Sequence, residues 1–335
     1  MPPGIEGNLK SEPEDFVVEE IPAYFPTGKG DHLFIWIEKR QTSAESLLQH
    51  VAATIEVRRD DIGMAGQKDR WAVTRQYISV PATAAGRLSF LEHENIRVLH
   101  TGRHPHKLRT GHLRGNRFNI FLRGVRDDDL PRAERIAAQI KSRGIPNFYG
   151  RQRFGHNSET LSKGLDLLRG TTSPSQLPRA RRRYLLRLFL GAAQSYLFNA
   201  VLAQRMTDDL VDRVLPGDVL QVVTSGGPFV ATGLDTEQLR LEQREIAITG
   251  PMFGRKMSLP SGVPLKNETA ALAASGLVAE DFDRFKKLTR GTRRPLLVFP
   301  GNLSVRAEQD GLRFRFELPK GSYGTVLMRE FTRKW

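Results

Sequence analysis

The chain has no cysteine. That removes disulfides, thiolate metal sites and cysteine nucleophiles together, so any chemistry runs on carboxylates, amines, imidazoles or hydroxyls. No uninterrupted apolar stretch approaches the roughly 20 residues that span a bilayer. The opening Met1-Pro-Pro-Gly-Ile-Glu-Gly lacks the basic and apolar regions of a secretory signal, so a cytoplasmic protein is expected. Fixed-period repeats and low-complexity tracts are missing too. Hydrophobic residues at 39% and charged residues at 26% exclude wholesale disorder, collagen and coiled coil. A chain of 335 residues exceeds one compact core, and at roughly 150 residues per domain two domains are expected.

The most informative absence is local. From Asn95 to Arg126 there is no acidic residue, while Arg97, Arg103, Lys107, Arg109, Arg114, Arg117, Arg123 and Arg126 are joined by His100, His104, His106 and His112. A solvated face normally interleaves both signs. Further basic clusters lie at Arg179, Arg181, Arg182, Arg183 and Arg187, and at Arg284, Lys286, Lys287, Arg290, Arg293 and Arg294, within a net charge of +14. Three separated basic segments suit an extended phosphate backbone better than a small anionic metabolite. The histidines match no standard metal spacing, because no Asp, Glu or Cys lies among them and Pro105 separates two of them, so no metal is expected.

Patterning gives an α+β organisation. Phe16-Val-Val-Glu-Glu-Ile and His32-Leu-Phe-Ile-Trp-Ile-Glu-Lys read as an early antiparallel strand pair. Thr42 and Glu45 form a capping box ahead of a helix reaching about Val57. Strands are expected at Trp71–Val80, Ile96–Leu99 and Arg117–Arg123, and a helix from Asp129 to Gly144. The apolar segment Tyr184–Met206 is interrupted by Arg187, Gln194, Ser195 and Asn199, which makes it a core helix and not a membrane span. Asp310-Gly311 turns a C-terminal hairpin with Phe314 and Phe316 on one face.

The segment Gly66-Gln-Lys-Asp-Arg-Trp places one carboxylate, Asp69, between two cations just before a strand. If the backbone is extended there, Lys68 and Arg70 project opposite Asp69, which then points alone into a cleft. The same triplet also reads as a surface charge cluster. Four other unusual segments accompany it: Glu14-Asp-Phe-Val-Val-Glu-Glu, Leu113-Arg-Gly-Asn-Arg-Phe, Pro146-Asn-Phe-Tyr-Gly-Arg-Gln-Arg-Phe-Gly and Ala192-Ala-Gln-Ser-Tyr-Leu-Phe-Asn. Together, in this order and from about Lys10 to Glu330, they resemble the TruD-type tRNA pseudouridine(13) synthases.

The resemblance implies an enzyme that isomerises uridine to pseudouridine in tRNA and its precursors, without cofactor or metal; a monomer is expected. Asp69 would be the nucleophile, attacking C1′ of the ribose or C6 of the base; the detached uracil then turns and rejoins through C5. An extruded uridine needs an aromatic platform, an amide for the base edge and cations for the phosphates. By resemblance Phe16, Asn116 and Phe118 line that pocket, Tyr323 stands where a Phe is usual, and Lys10 is a nearby cation. Arg103, Lys107, Arg109, Arg114 and Arg117 would hold the RNA backbone. On the residues alone, Phe16 and Phe118 also read as core aromatics and Asn116 as a turn residue. Departures from the pattern are Gln67 for Leu, Trp71 for His and Arg151 for Glu. The implied fold is a pseudouridine-synthase catalytic domain on an antiparallel or mixed sheet, residues 1–144 and 298–335. A TruD-specific insertion spans residues 145–297, and the lobes form a positive cleft. The rival reading is a non-catalytic RNA-binding protein or RNA-folding chaperone. A phosphate-cleaving nuclease would need acidic metal ligands that the basic segments do not offer.

Overall fold

In the computed structural model, which describes residues 4–126 and 128–333, the chain forms two compact units. The first comprises Met1–Gly144 and Phe299–Trp335, the second Ile145–Val298.

The first unit is built on a nine-stranded mixed sheet. Its principal strands are β1 (Phe16–Pro22), β2 (His32–Arg40), β3 (Val73–Pro81), β4 (Ile96–His104), β5 (Leu113–Arg123), β6 (Gly301–Glu308) and β7 (Gly311–Pro319). They lie in the order β6-β7-β5-β1-β3-β2-β4, with the short strands Asn8–Leu9 beside β5 and Gly63–Met64 beside β3. All neighbours on this path are antiparallel except β1 and β3, which run parallel.

Side chains alternate across a strand, so this register sorts the sheet into two unlike faces. On one face Leu33, Ile35 and Ile37 of β2 and Ile78 and Val80 of β3 are buried with Leu47, Val51 and Ile55 of helix α1 (Ala44–Thr54). Farther along the same face Phe314 of β7 packs on Phe331 of the C-terminal helix Gly324–Thr332, ring centroids 4.7 Å apart. The opposite face carries a charge ladder in which Arg75 pairs with Glu38 and Glu19, and Arg117 with Glu19 and Glu317.

Several local expectations hold. The helix Asp129–Arg143 stops at Gly144, whose φ of 73° suits glycine, and the β6–β7 hairpin forms with Phe314 and Phe316 buried, although its two-residue turn is Gln309-Asp310, one residue earlier than expected, with Gly311 already paired with Glu308. Others are corrected. The α1 cap is Ser43, whose hydroxyl accepts the Ser46 amide, so the helix starts one residue later than a Thr42 cap implies. The first two strands do not pair. β3 lies between them, pairing parallel with β1 and antiparallel with β2, so pairing with a distant segment takes the place of pairing between sequence neighbours.

The second unit has a four-stranded sheet in the order Pro228–Val230, Val219–Val222, Ile246–Met252, Thr292–Pro295. Its long helix Arg182–Thr207 is apolar enough to suggest a span, but 61% of its most apolar window is buried within the protein, as expected of a core helix. Leu186, Phe189 and Leu190 enter one cluster with Phe253 and Phe282, while Phe198 and Leu202 enter a second with Ile248 and Leu296.

Candidate active site

The helix-covered face of the first unit's sheet is apolar except where three rows cross its middle strands. In one row Asn116 of β5 stands opposite Glu20 of β1 and Leu318 of β7. The parallel pairing of Val18 with Thr74 and Glu19 with Arg75 brings Glu20 level with Gln76, itself opposite Ile37. The next row runs Phe316, Phe118, Val18, Thr74, Lys39, and the third places Phe16 opposite Ile120. Glu20, Thr74, Gln76 and Lys39 are all buried there.

Asp69 lies over these rows on the loop leading into β3. This loop forms no paired strand. Its side chain keeps 35% exposure, and Oδ2 accepts a hydrogen bond from Lys10 Nζ at 2.9 Å. Asp69 therefore does not stand alone. Lys10 reaches it from a left-handed backbone position (φ 61°), with its ammonium 4.0 Å from the centre of the Phe16 ring. The Trp71 indole N–H donates to the Lys10 carbonyl at 3.0 Å, and the ring is 47% exposed.

Two further lysines hold the loop from below. Lys39, wholly buried, donates to the main-chain carbonyls of Asp69 (3.0 Å) and Thr42 (2.5 Å). Burial pushes its ammonium down to about 8; the negative charge of Asp69 opposes this and the positive charge of Lys68 adds to it. Lys68 turns away from Asp69, as alternation anticipated, and donates to Glu20 Oε2 at 2.8 Å, with both side chains buried. Burial raises the Glu20 carboxyl, opposed by the Lys68 charge.

The structure thus gathers Lys10, Phe16, Phe118 and Asp69. Phe16 and Phe118 are edge-to-face at 6.2 Å, Phe118 stacks on Phe316 at 5.0 Å, and both candidate rings are buried core aromatics. The exposed ring beside Asp69 is Trp71. Asn116 is half-buried, and its Oδ1 has no hydrogen-bond partner among the described residues. Tyr323 is the N-cap residue of the C-terminal helix, and the Gly324 that follows lies against the Phe118 ring.

A profile of the family described as tRNA pseudouridine synthase D (TruD) matches residues 1–175 and 175–331. The chain belongs to this family. A tRNA pseudouridine synthase D of an Anaeromyxobacter species is 42% identical over 328 residues, covering 98% of this chain and 93% of the relative. One from Thermus thermophilus is 39% identical over 334 residues, covering 98% and 89%. A crystal structure described as tRNA pseudouridine synthase D from Methanosarcina mazei superposes with a TM-score of 0.75 at 24% identity, covering 99% of this chain and 94% of that one, and so shares the fold.

In this TruD-family chain the basic segment divides into free and engaged cations. Arg103, Arg109 and Arg114 are exposed and make no ion pair among the described residues. Arg117 is held by Glu19 at 2.9 Å and Glu317 at 3.0 Å on the sheet face opposite Asp69, and Lys107 donates to the Asp60 carbonyl. A cavity of about 330 Å³ on that opposite face is lined by Trp36, Tyr77, His100 and Arg117, with Glu19 and Glu20 also on its border. His100 bonds the Tyr77 hydroxyl at 2.7 Å and His104 stacks on Tyr24 at 4.9 Å, while no group of three metal-binding side chains converges among the described residues.

The residues that sequence reasoning missed are Glu20, Lys39, Lys68 and Trp71. Glu20 follows Phe16 and Val18 at period two, and Lys39 follows Leu33, Ile35 and Ile37 likewise. A charge in phase with a buried apolar face was the available signal.

Proposed function

We propose that this protein isomerises uridine to pseudouridine in tRNA, at position 13, with Asp69 as nucleophile and no cofactor. The observation that carries the reading is a partly exposed carboxylate on a loop otherwise fixed by buried lysines, at the position the family resemblance gives its aspartate. A carboxylate oxygen attacks C1′, the C1′–N1 bond breaks and uracil leaves with its electron pair. The ring turns, C5 attacks C1′, the bond to the carboxylate breaks, the C5 hydrogen leaves as a proton and N1 takes one up, so the product is an isomer of the substrate. Attack at C6 is the alternative first step. No electrons are gained or lost overall, so the chain's own groups suffice: Lys10 orients the carboxylate, Trp71 offers a stacking surface for a base, and Arg103, Arg109 and Arg114 attract the phosphates.

The test uses unmodified tRNA transcript, wild-type protein and the Asp69→Asn variant, with pseudouridine mapped by carbodiimide-dependent primer extension. A stop at position 13 with wild type only is expected. RNA binding without a stop for either protein would favour an RNA chaperone.

A further inference from the structure

The Glu20–Lys68 pair is poorly built for stability. Glu20 Oε2 receives Lys68 and the Tyr77 backbone N–H lies beside the carboxylate, yet Oε1 has no well-aligned hydrogen bond among the described residues, and neither has Oε1 of the neighbouring Gln76. A buried ion pair recovers its desolvation cost only when its remaining hydrogen-bonding capacity is met, and here it is met only in part. The pair does fix geometry. Lys68 adjoins Asp69 in sequence, and its side chain is tied to the sheet at Glu20. The Asp69 carbonyl is tied to the same sheet by Lys39, and the Gly66 carbonyl accepts from Gln76 Nε2 at 3.4 Å. The backbone is therefore held on both sides of the carbon that bears the Asp69 carboxylate, leaving its side-chain torsions as the remaining freedom.

We propose that Glu20 is a positioning residue for the catalytic carboxylate, acting through Lys68 to set the direction in which Asp69 meets the nucleoside. Glu20 does not touch the RNA; its side chain is fully covered. The inference rests on the reading of Asp69 as nucleophile. It predicts a loss in kcat with little change in KM, because the basic surface that holds tRNA lies elsewhere.

The test combines Glu20→Gln with Lys68→Met, removing both charges so that neither is left buried alone. Folding is checked by circular dichroism, and kcat and KM for tRNA transcript are measured. The expected result is a folded protein with kcat lowered about 30-fold at unchanged KM. A wild-type kcat would overturn the proposal, as would a loss confined to KM. If the double variant does not fold, Glu20→Asp keeps the charge and shortens the reach by one methylene: a lowered kcat at unchanged KM supports positioning, and a wild-type kcat sinks it. Asp69→Asn runs beside them. Turnover by that variant would remove the nucleophile reading itself, whereas an inactive Asp69→Asn with a fully active Glu20 variant removes only the positioning role.

Discussion

The two units bury ion pairs in opposite styles. In the second unit Arg205 gives two hydrogen bonds to the Asp218 carboxylate at 2.6 and 2.7 Å and others to the Leu210 and Arg213 carbonyls. Arg293 likewise grips both oxygens of Glu268 and the hydroxyl and carbonyl of Thr249. In the first unit the pair beneath Asp69 uses lysine, a compact point charge, and leaves one carboxylate oxygen without a well-aligned partner among the described residues. A planar guanidinium with a full set of partners secures a fold, whereas on the proposed function the ammonium with few partners lies where the fold accepts cost to hold the nucleophile.

The largest expected effect lies in the saturated pair. Arg293→Met leaves the Glu268 carboxylate buried without its partner and should cost about 3–5 kcal/mol in urea unfolding. Replacing Glu268 by Gln as well should recover much of that loss, and kcat should be untouched in both. A kcat loss in the folded double variant would erase the contrast between the units.

Next is Lys39. Its folded-state value of about 8 lies below the ordinary 10.5, so between those pH values the unfolded chain holds the extra proton and stability rises with pH. The penalty of the buried ammonium is complete below about pH 8 and fades towards 10.5. The unfolding free energy of wild type minus that of Lys39→Met should therefore climb by about 3 kcal/mol across this window. A flat difference would mean that the ammonium beneath Asp69 carries no such penalty.

A smaller effect is expected at Gly324, where an added Cβ would sit 2.7 Å from the Phe118 ring. Gly324→Ala should destabilise by about 1–3 kcal/mol, read as a lowered Tm, because the ring is already wedged between Phe16 and Phe316. An unchanged Tm would show that the aromatic layer has room to shift. The smallest effect concerns the free and engaged cations. Arg103→Ala, Arg109→Ala and Arg114→Ala should each flatten the slope of log affinity for tRNA against log salt by about 0.7–0.9, the change for one lost phosphate contact. Arg117→Ala should change it by less than half as much, since Glu19 and Glu317 already neutralise that guanidinium. Equal slopes for all four would mean that RNA displaces the carboxylates.

Local rules made much of this legible. The Gly144 helix stop, the C-terminal hairpin around Asp310 and the buried Phe314–Phe316 pair follow from residues within a few positions of one another. The pairing of β1 was not legible, because its neighbours come from Val73–Pro81 and Leu113–Arg123, far along the chain. The same distance hid the partners of Asp69. Lys39 lies 30 residues away in sequence, and Lys10, 59 away, is placed near the site only by the family resemblance.

The sequence by itself determined the charge, the absence of thiol chemistry, the alternation that puts Glu20 and Lys39 on a buried face, and the five segments that carry the family resemblance. Only the tertiary structure decided which charges meet. Ion pairing depends on strand register and burial, and both are set by contacts between segments that no local pattern links. That is why Lys10 faces Asp69, Lys68 faces Glu20 and Arg117 is spent on the far side of the sheet, although all three lysine and arginine side chains look alike as letters in a basic chain.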